Sequence, residues 1–333
     1  MRERSKIKFG IFLLSSFIFS NALFAQVTDN EKKLRELELD STLGWKINGV
    51  AIISFSQSSF NNWAAGGQNS ISGNTIISLY AGYKTAKASW DNTLDIGYGV
   101  VKQGTMSKWI KSDDKIDFTS KYGRKVSDKW FYAGLVNFKT QFSPGYNYPN
   151  DSVKISNFLA PAYVLAAIGF DFKPSNGISA FIAPLTSRTI YVGDQKLADA
   201  GTAGLTPAEV DVKGNIISHA AMIKNEFGGY LKLVYRKEDI VKNVNIMTKV
   251  DFFSNYLKNP QNLVVNWEAL IAMKVNKILT VTFATNLIYD DAIKIPTGKD
   301  ASGTMHYIGP RTQFKEVLGV GLSYKFTKGR KNK

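Results

Sequence analysis

The chain has 333 residues, 13% of them aromatic, with 27 Gly, 9 Pro and no Cys. The missing cysteine excludes a disulfide framework, a thiol nucleophile and thiolate metal sites. An apolar share of 44%, with a mean hydropathy near zero, excludes both a disordered polymer and a polytopic helical membrane protein.

The N-terminus reads as an export signal. Arg2, Arg4, Lys6 and Lys8 precede an apolar stretch from Ile11 to Phe19, and the segment ending at Ala25 is a plausible cleavage site. Removing residues 1–25 takes four basic and one acidic residue away and lowers the net charge from +15 to +12. Basic residues are scattered through the chain, which argues against nucleic acid and for anionic lipid or lipopolysaccharide headgroups as partners. Residues 26–43 form a short polar segment expected in the periplasm, and 327–333 a basic periplasmic tail.

Between these, over 44–326, the pattern has a period of two. Ala88, Trp90, Leu94, Ile96, Tyr98 and Val100 share one face of a strand, while Ser89, Asp91, Thr93, Asp95, Gly97 and Gly99 share the other. The alternation recurs and predicts about twelve strands, at 45–56, 70–84, 87–101, 115–127, 129–143, 158–173, 178–192, 218–237, 243–257, 262–275, 278–291 and 312–326. Each exceeds the length needed to cross a bilayer at a tilt. Short turns alternate with longer connections. The expected fold is therefore all-β: a transmembrane, antiparallel, up-and-down β-barrel with short periplasmic turns and long extracellular loops.

A soluble sandwich also alternates, but its strands are shorter and it has no reason to gather aromatics at one rim. Here Trp45, Tyr83, Trp90, Tyr122, Trp130, Phe172, Tyr235 and Tyr324 are expected to form a girdle at the turn rim, and Tyr256, Trp267 and Tyr289 to serve the other. The last strand, with Gly321, Tyr324 and Phe326, resembles the C-terminal signal of outer-membrane barrels, although seven residues follow Phe326. That resemblance implies insertion by the barrel-assembly machinery.

The stretches Asn62–Gly67, Trp90–Asp95, Thr140–Tyr146, Phe158–Tyr163, Ala183–Thr186 and Ile288–Asp291 resemble those of an uncharacterised family of outer-membrane β-barrels from Bacteroidota, a domain of unknown function. The resemblance implies an outer-membrane address and carries no activity or functional residues.

The inward faces are the place to look for function. Strand parity assigns to the lumen Asp91, Asp95, Lys115, Asp117, Lys121, Lys139, Lys249, Asp251 and Glu268. It also assigns Lys125, Gln141, Lys224, Glu226, Lys232, Asn255, Lys274, Thr280, Thr282, Asn286 and Lys315. Either opposite charges pair across the ladder, Asp91 and Asp95 against Lys115 and Lys121, and fill the interior, or a basic wall forms a passage for small anions. A filled or loop-plugged interior is the leading expectation, with a structural or accessory envelope role and a possible envelope protein partner; a passive anion channel is the alternative. An enzyme is not expected. His219 is adjacent to Ser218, so in the strand expected there the two would point to opposite faces, and His306 lies in a Gly-rich loop. Asp113-Asp114 and Asp290-Asp291 lack the spacing of a calcium loop. No catalytic residue, metal site or cofactor is expected.

Overall fold

The computed structural model describes residues 43–59, 68–104, 108–146, 148, 151–175, 178–275, 279–299, 305–322 and 326–329. The leader, the polar segment up to residue 42, the Asn62–Gly67 motif, Tyr324 and residues 330–333 lie outside them.

Twelve wall segments run up and down in chain order. They are β1 (Gly44–Ser58), β2 (Ser70–Lys84), β3 (Ala88–Gln103), β4 (Ile110–Lys125), β5 (Trp130–Thr140), β8 (Ala162–Ser175), β9 (Ile178–Tyr191), β12 (Ile223–Val241), β13 (Val244–Asn255), β14 (Leu263–Lys274), β15 (Leu279–Tyr289) and β18 (Gln313–Leu322). A final short strand, β19 (Phe326–Gly329), follows β18 after three residues. Every neighbouring pair is antiparallel. The sheet order begins at β18, which pairs with β15, and ends at β19, which pairs with β1. Three residues span at most about 14 Å between β18 and β19, so the two edges of the sheet meet in one chain segment and the sheet closes on itself. Closure removes the unpaired edge that an open sheet of this size would expose.

The strands end where the local chemistry changes. Thr85 Oγ1 accepts from the backbone N–H of Ala88 at 3.0 Å and tightens the β2–β3 turn. Lys242-Asn243 makes the β12–β13 turn, with Val241 opposite Val244 and Asn243 at φ 65°, a conformation Asn tolerates. At the opposite rim the long connections carry small elements: β6 (Gly145–Tyr146) with β7 (Lys154–Ser156), a five-residue helix α1 (Gln195–Asp199), β10 (Glu209–Val210) with β11 (Ile216–Ser218), and β16 (Lys294–Lys299) with β17 (Met305–Pro310).

Three differences from the sequence reading stand out. β4 starts at Ile110, five residues earlier than expected. β12 starts at Ile223, so His219 belongs to a loop and the argument from opposite strand faces does not apply to it. The last strand continues to Gly329, which draws Thr327 and Lys328, expected in the tail, into pairing with β1.

The outer face is apolar. In register around the wall, Leu79 stands opposite Leu94, Leu94 opposite Phe118, Phe118 opposite Phe138 and Phe138 opposite Val164. Four residues nearer the turn rim, Trp45, Tyr83, Trp90 and Tyr122 are consecutive partners across β1 to β4, all exposed. Trp45 lies 5.2 Å from the Tyr83 ring and 6.1 Å from the Trp90 ring, and Trp130 lies 4.7 Å from Phe172. Tyr256 and Phe227 meet at 6.1 Å near the other rim. An exposed apolar band of this extent, edged by amphipathic rings, is the outer surface of an outer-membrane-type barrel; water would not tolerate it on a monomer.

Several pairings slip in register, and the slip in β9 changes which side chains face inward. It lies between Ala183 and Thr186 against β12 and between Ile182 and Leu185 against β8, which makes Pro184 the extra residue of a bulge. Proline has no N–H to give the ladder, so a bulge is where a strand can carry it. Ile182, Pro184 and Leu185 point outward, while Ala183 and Thr186 are fully buried. Thr186 Oγ1 donates to the Ala183 carbonyl at 3.1 Å, recovering an acceptor that the bulge frees.

Candidate functional site

The barrel interior is built in layers, from the turn rim to the loop rim. At the turn rim lies a chamber of about 630 Å³, bordered by Lys46, Lys84, Lys87, Lys121, Lys125, Lys129, Lys173 and Lys232, with Asp91, Asp128 and Tyr80. Its β5, β9 and β12 side is apolar: Phe131, Leu135, Phe181 and Val234. Tyr80 donates its hydroxyl to Asp91 at 2.7 Å. Asp171, almost fully buried, lies 3.5 Å from Lys121 and 3.3 Å from Lys173 and accepts from Ser179 Oγ at 2.8 Å. Lys121 is opposite Asp91 in the ladder, as parity implies, yet it also reaches over β5 to an acid on β8.

Inward of the chamber, Ala133, Leu135, Ala167, Phe181 and Ala183 form a buried apolar cluster, with Leu165 and Tyr230 packed on it. Phe181 and Tyr230 meet edge to face at 6.2 Å. Next to this cluster is a layer of charge. Asp117 lies 3.6 Å from Lys115 and 3.5 Å from Lys139 and accepts from Asn137 Nδ2 at 2.6 Å. Lys249 pairs with Glu268 at 2.5 Å, and Lys232 with Asp251 at 3.3 Å. Asp95 is opposite Asp117 in the ladder and is itself engaged. Two carboxylates face to face repel, and Lys115 and Lys139 offset that repulsion at Asp117.

Of the nine lumen residues named from parity, all are buried or half-buried on the inward side, and six of them, Lys115, Asp117, Lys139, Lys249, Asp251 and Glu268, belong to this one layer. Asp91 and Lys121 belong to the chamber. The side chains of Lys274, Thr280, Thr282, Asn286 and Lys315 lie outside the described ones.

Nearest the loop rim, Arg188 holds the interior together. Its Nη2 donates to Asp290 at 3.0 Å, its Nη1 lies 3.2 Å from Glu226, and the guanidinium sits over the rings of Tyr163 and Phe253. Lys224 adds a second cation to Glu226 at 2.8 Å. Charges this buried persist only when partnered, and here four strands and the β15 terminus supply the partners.

Above Arg188 the connection from β9 to β12 folds over the mouth. Val192, Leu197, Ala198, Leu205 and Ala220 are buried with Ile190 and Ala160 in a small core of their own. Gly204 lies against Ala292: a Cβ there would come 2.8 Å from that alanine's own, so the connection reaches from β9 to the end of β15 on the far wall. Gly193 N–H bonds the Leu159 carbonyl at 2.8 Å and ties the cap to a third connection.

Asp199 organises this cap. It accepts from Gln195 Nε2 at 2.9 Å and from the Ala220 N–H at 2.9 Å, and its Oδ2 lies 2.8 Å from His219 Nδ1. Partial desolvation pushes its carboxyl upward, but these hydrogen bonds outweigh it and hold the group below the usual carboxylate value. The acidic pairs of the loops are likewise engaged in structure. Asp114 accepts from the N–H groups of Phe142 and Ser143 and pairs with Lys111, Asp290 pairs with Arg188, and Asp291 accepts from Asn262.

Residues 55–146 match the family described as "Protein of unknown function (DUF3078)". No curated protein matches the chain. Among solved structures, an outer membrane channel from Pseudomonas putida F1 is similar at 12% identity and a TM-score of 0.39, covering 86% of this chain and 97% of that one. The translocator domain of the autotransporter NalP from Neisseria meningitidis aligns at 9% identity and 0.36, covering 89% and 94%. The CymD monoaromatic hydrocarbon channel aligns at 10% identity and 0.34, covering 92% and 95%. The assignment of the fold rests on the closed sheet and its apolar outer face.

Sequence reasoning missed Asp171, Arg188, Tyr80 and Tyr230, and weighed Asp290 only as a loop carboxylate for calcium. Asp171 was legible as the one acid between the outward Phe170 and Phe172. Arg188 was not, because the bulge at Pro184 reverses which parity of β9 faces inward.

Proposed function

We propose that the protein is an outer-membrane barrel with an occluded interior, serving as a structural or accessory component of the envelope. Export by its leader, insertion by the barrel-assembly machinery, contact with outer-membrane lipid and lipopolysaccharide, and a Bacteroidota source belong to the same reading. The observation that carries it is the layer of paired charges, with Asp117 between Lys115 and Lys139, Lys249 on Glu268 and Lys232 on Asp251, roofed by the Arg188 cluster and the packed β9–β12 connection. A solvated ion crossing that layer has to pass between ion pairs whose carboxylates Asp117 and Asp251 are largely shielded from water. The cap, with its own apolar core, is the surface on which an envelope protein would dock.

The test is conductance of the purified protein in planar bilayers. The expected result is a sealed membrane. A steady current with preference for Cl⁻ over K⁺ would replace this reading with that of an anion channel, which the lysine excess of the turn-rim chamber favours as the second possibility.

A further inference from the structure

We propose that the chamber at the turn rim is a binding site for a soluble, multivalent oxyanion of the phosphate or polycarboxylate class, entered from that rim. Among the described residues, eight lysines border it. Among the described residues, the carboxylates on or beside it are Asp91, Asp128, Asp171 and Asp251. Lysine outnumbers carboxylate among these described groups, and it does so in a concavity, the arrangement that raises the local concentration of anions and favours those of high valence. The volume, about 630 Å³, is that of a small-molecule site.

Two features make the chamber a place of retention. Its inner end meets the cluster of Leu135, Phe181 and Tyr230 and, beside it, the paired charges around Asp117. Its opening is set by two ordered turns that carry Lys87 and Lys129: Thr85 Oγ1 accepts from the N–H of Lys87 at 3.3 Å, and Val126 and Ser127 donate to the Trp130 carbonyl. Lys46, Lys84, Lys121, Lys125, Lys173 and Lys232 reach the chamber from the inward face of wall strands, with the wall between them and the lipid-facing aromatics, which selects an ion from solution over a lipid headgroup.

The experiment uses the protein in phosphatidylcholine nanodiscs, titrated calorimetrically with tripolyphosphate. The wild type is expected to bind, with affinity falling about tenfold between 50 and 300 mM NaCl as the fields are screened. The double variant Lys87→Gln/Lys129→Gln, confined to turns, is expected to weaken binding about tenfold. The pair Lys213→Gln/Lys258→Gln, exposed at the other rim, is expected to leave it within about twofold. Absence of binding by the wild type, or equal weakening by both pairs, would overturn the proposal. Binding and conductance fail separately: a sealed barrel that ignores tripolyphosphate removes this site and leaves the occluded reading intact, whereas a conducting barrel that binds it does the reverse.

Discussion

Arg188 shows how one side chain can decide the state of the interior. It is the only described cation that touches Glu226 and Asp290 together, and its flat face is sandwiched between Tyr163 and Phe253. Truncation by Arg188→Ala strands Asp290 without its charge partner and leaves Glu226 to Lys224 alone. Breaking buried pairs in this way costs about 3–5 kcal/mol. Urea unfolding of the variant in lipid vesicles should show a loss of that order. Arg188→Lys should recover only part of it, since an ammonium offers neither the fork nor the planar face. A loss below about 1 kcal/mol in Arg188→Ala would mean that solvent reaches these groups. The lumen positions expected from sequence rest on alternation, which is clearest at Asp95, Asp117, Asp251 and Glu268, each set between two apolar residues. Arg188 was hidden because Pro184 breaks that rule, and from sequence a proline inside an apolar run signals a bulge without saying which neighbour turns over. Tyr80 and Tyr230 were hidden for another reason: an inward tyrosine looks like an outward one unless the partner acid is known.

At the scale of elements, the wall was nearly all legible, and most observed strand ends fall within a few residues of the expected ones. The connections were less legible, because their order comes from contacts between segments far apart in sequence. The β9–β12 connection is an example: its helix has only five residues and could not stand alone, yet Leu197 and Ala198 are buried against Ile190 and Ala160. Asp199 links acidity to the order of this cap. Its folded-state carboxyl titrates below the ordinary value, so the stabilisation is present above about pH 4 and is lost as pH falls through the lowered value. Hydrogen exchange of segment 192–222 should therefore stay slow from pH 7 to about 4, after correction for intrinsic rates, and accelerate below. Asp199→Asn should exchange faster at neutral pH and lose the acid transition. A cap equally protected in both proteins at pH 7 would show that the apolar core alone orders it.

For the molecule as a whole, the outer belt predicts where lipid begins and ends. Trp45, Trp90 and Trp130 share one ring near the turn rim, and Trp109 is exposed near the other. Lipids brominated high on the acyl chain should quench tryptophan emission more strongly than lipids brominated near the chain end, because these rings favour the interface. Stronger quenching from the bilayer centre would displace the girdle. The same belt predicts that the chain without residues 1–25 needs detergent or lipid to remain monodisperse.

The closing seam has a consequence of its own. β1 meets β2 through fifteen residue pairs but, among the described residues, meets β19 through four, from Lys46 to Gly49. A bracelet fastened by so short a clasp cannot lock until β19 reaches β1.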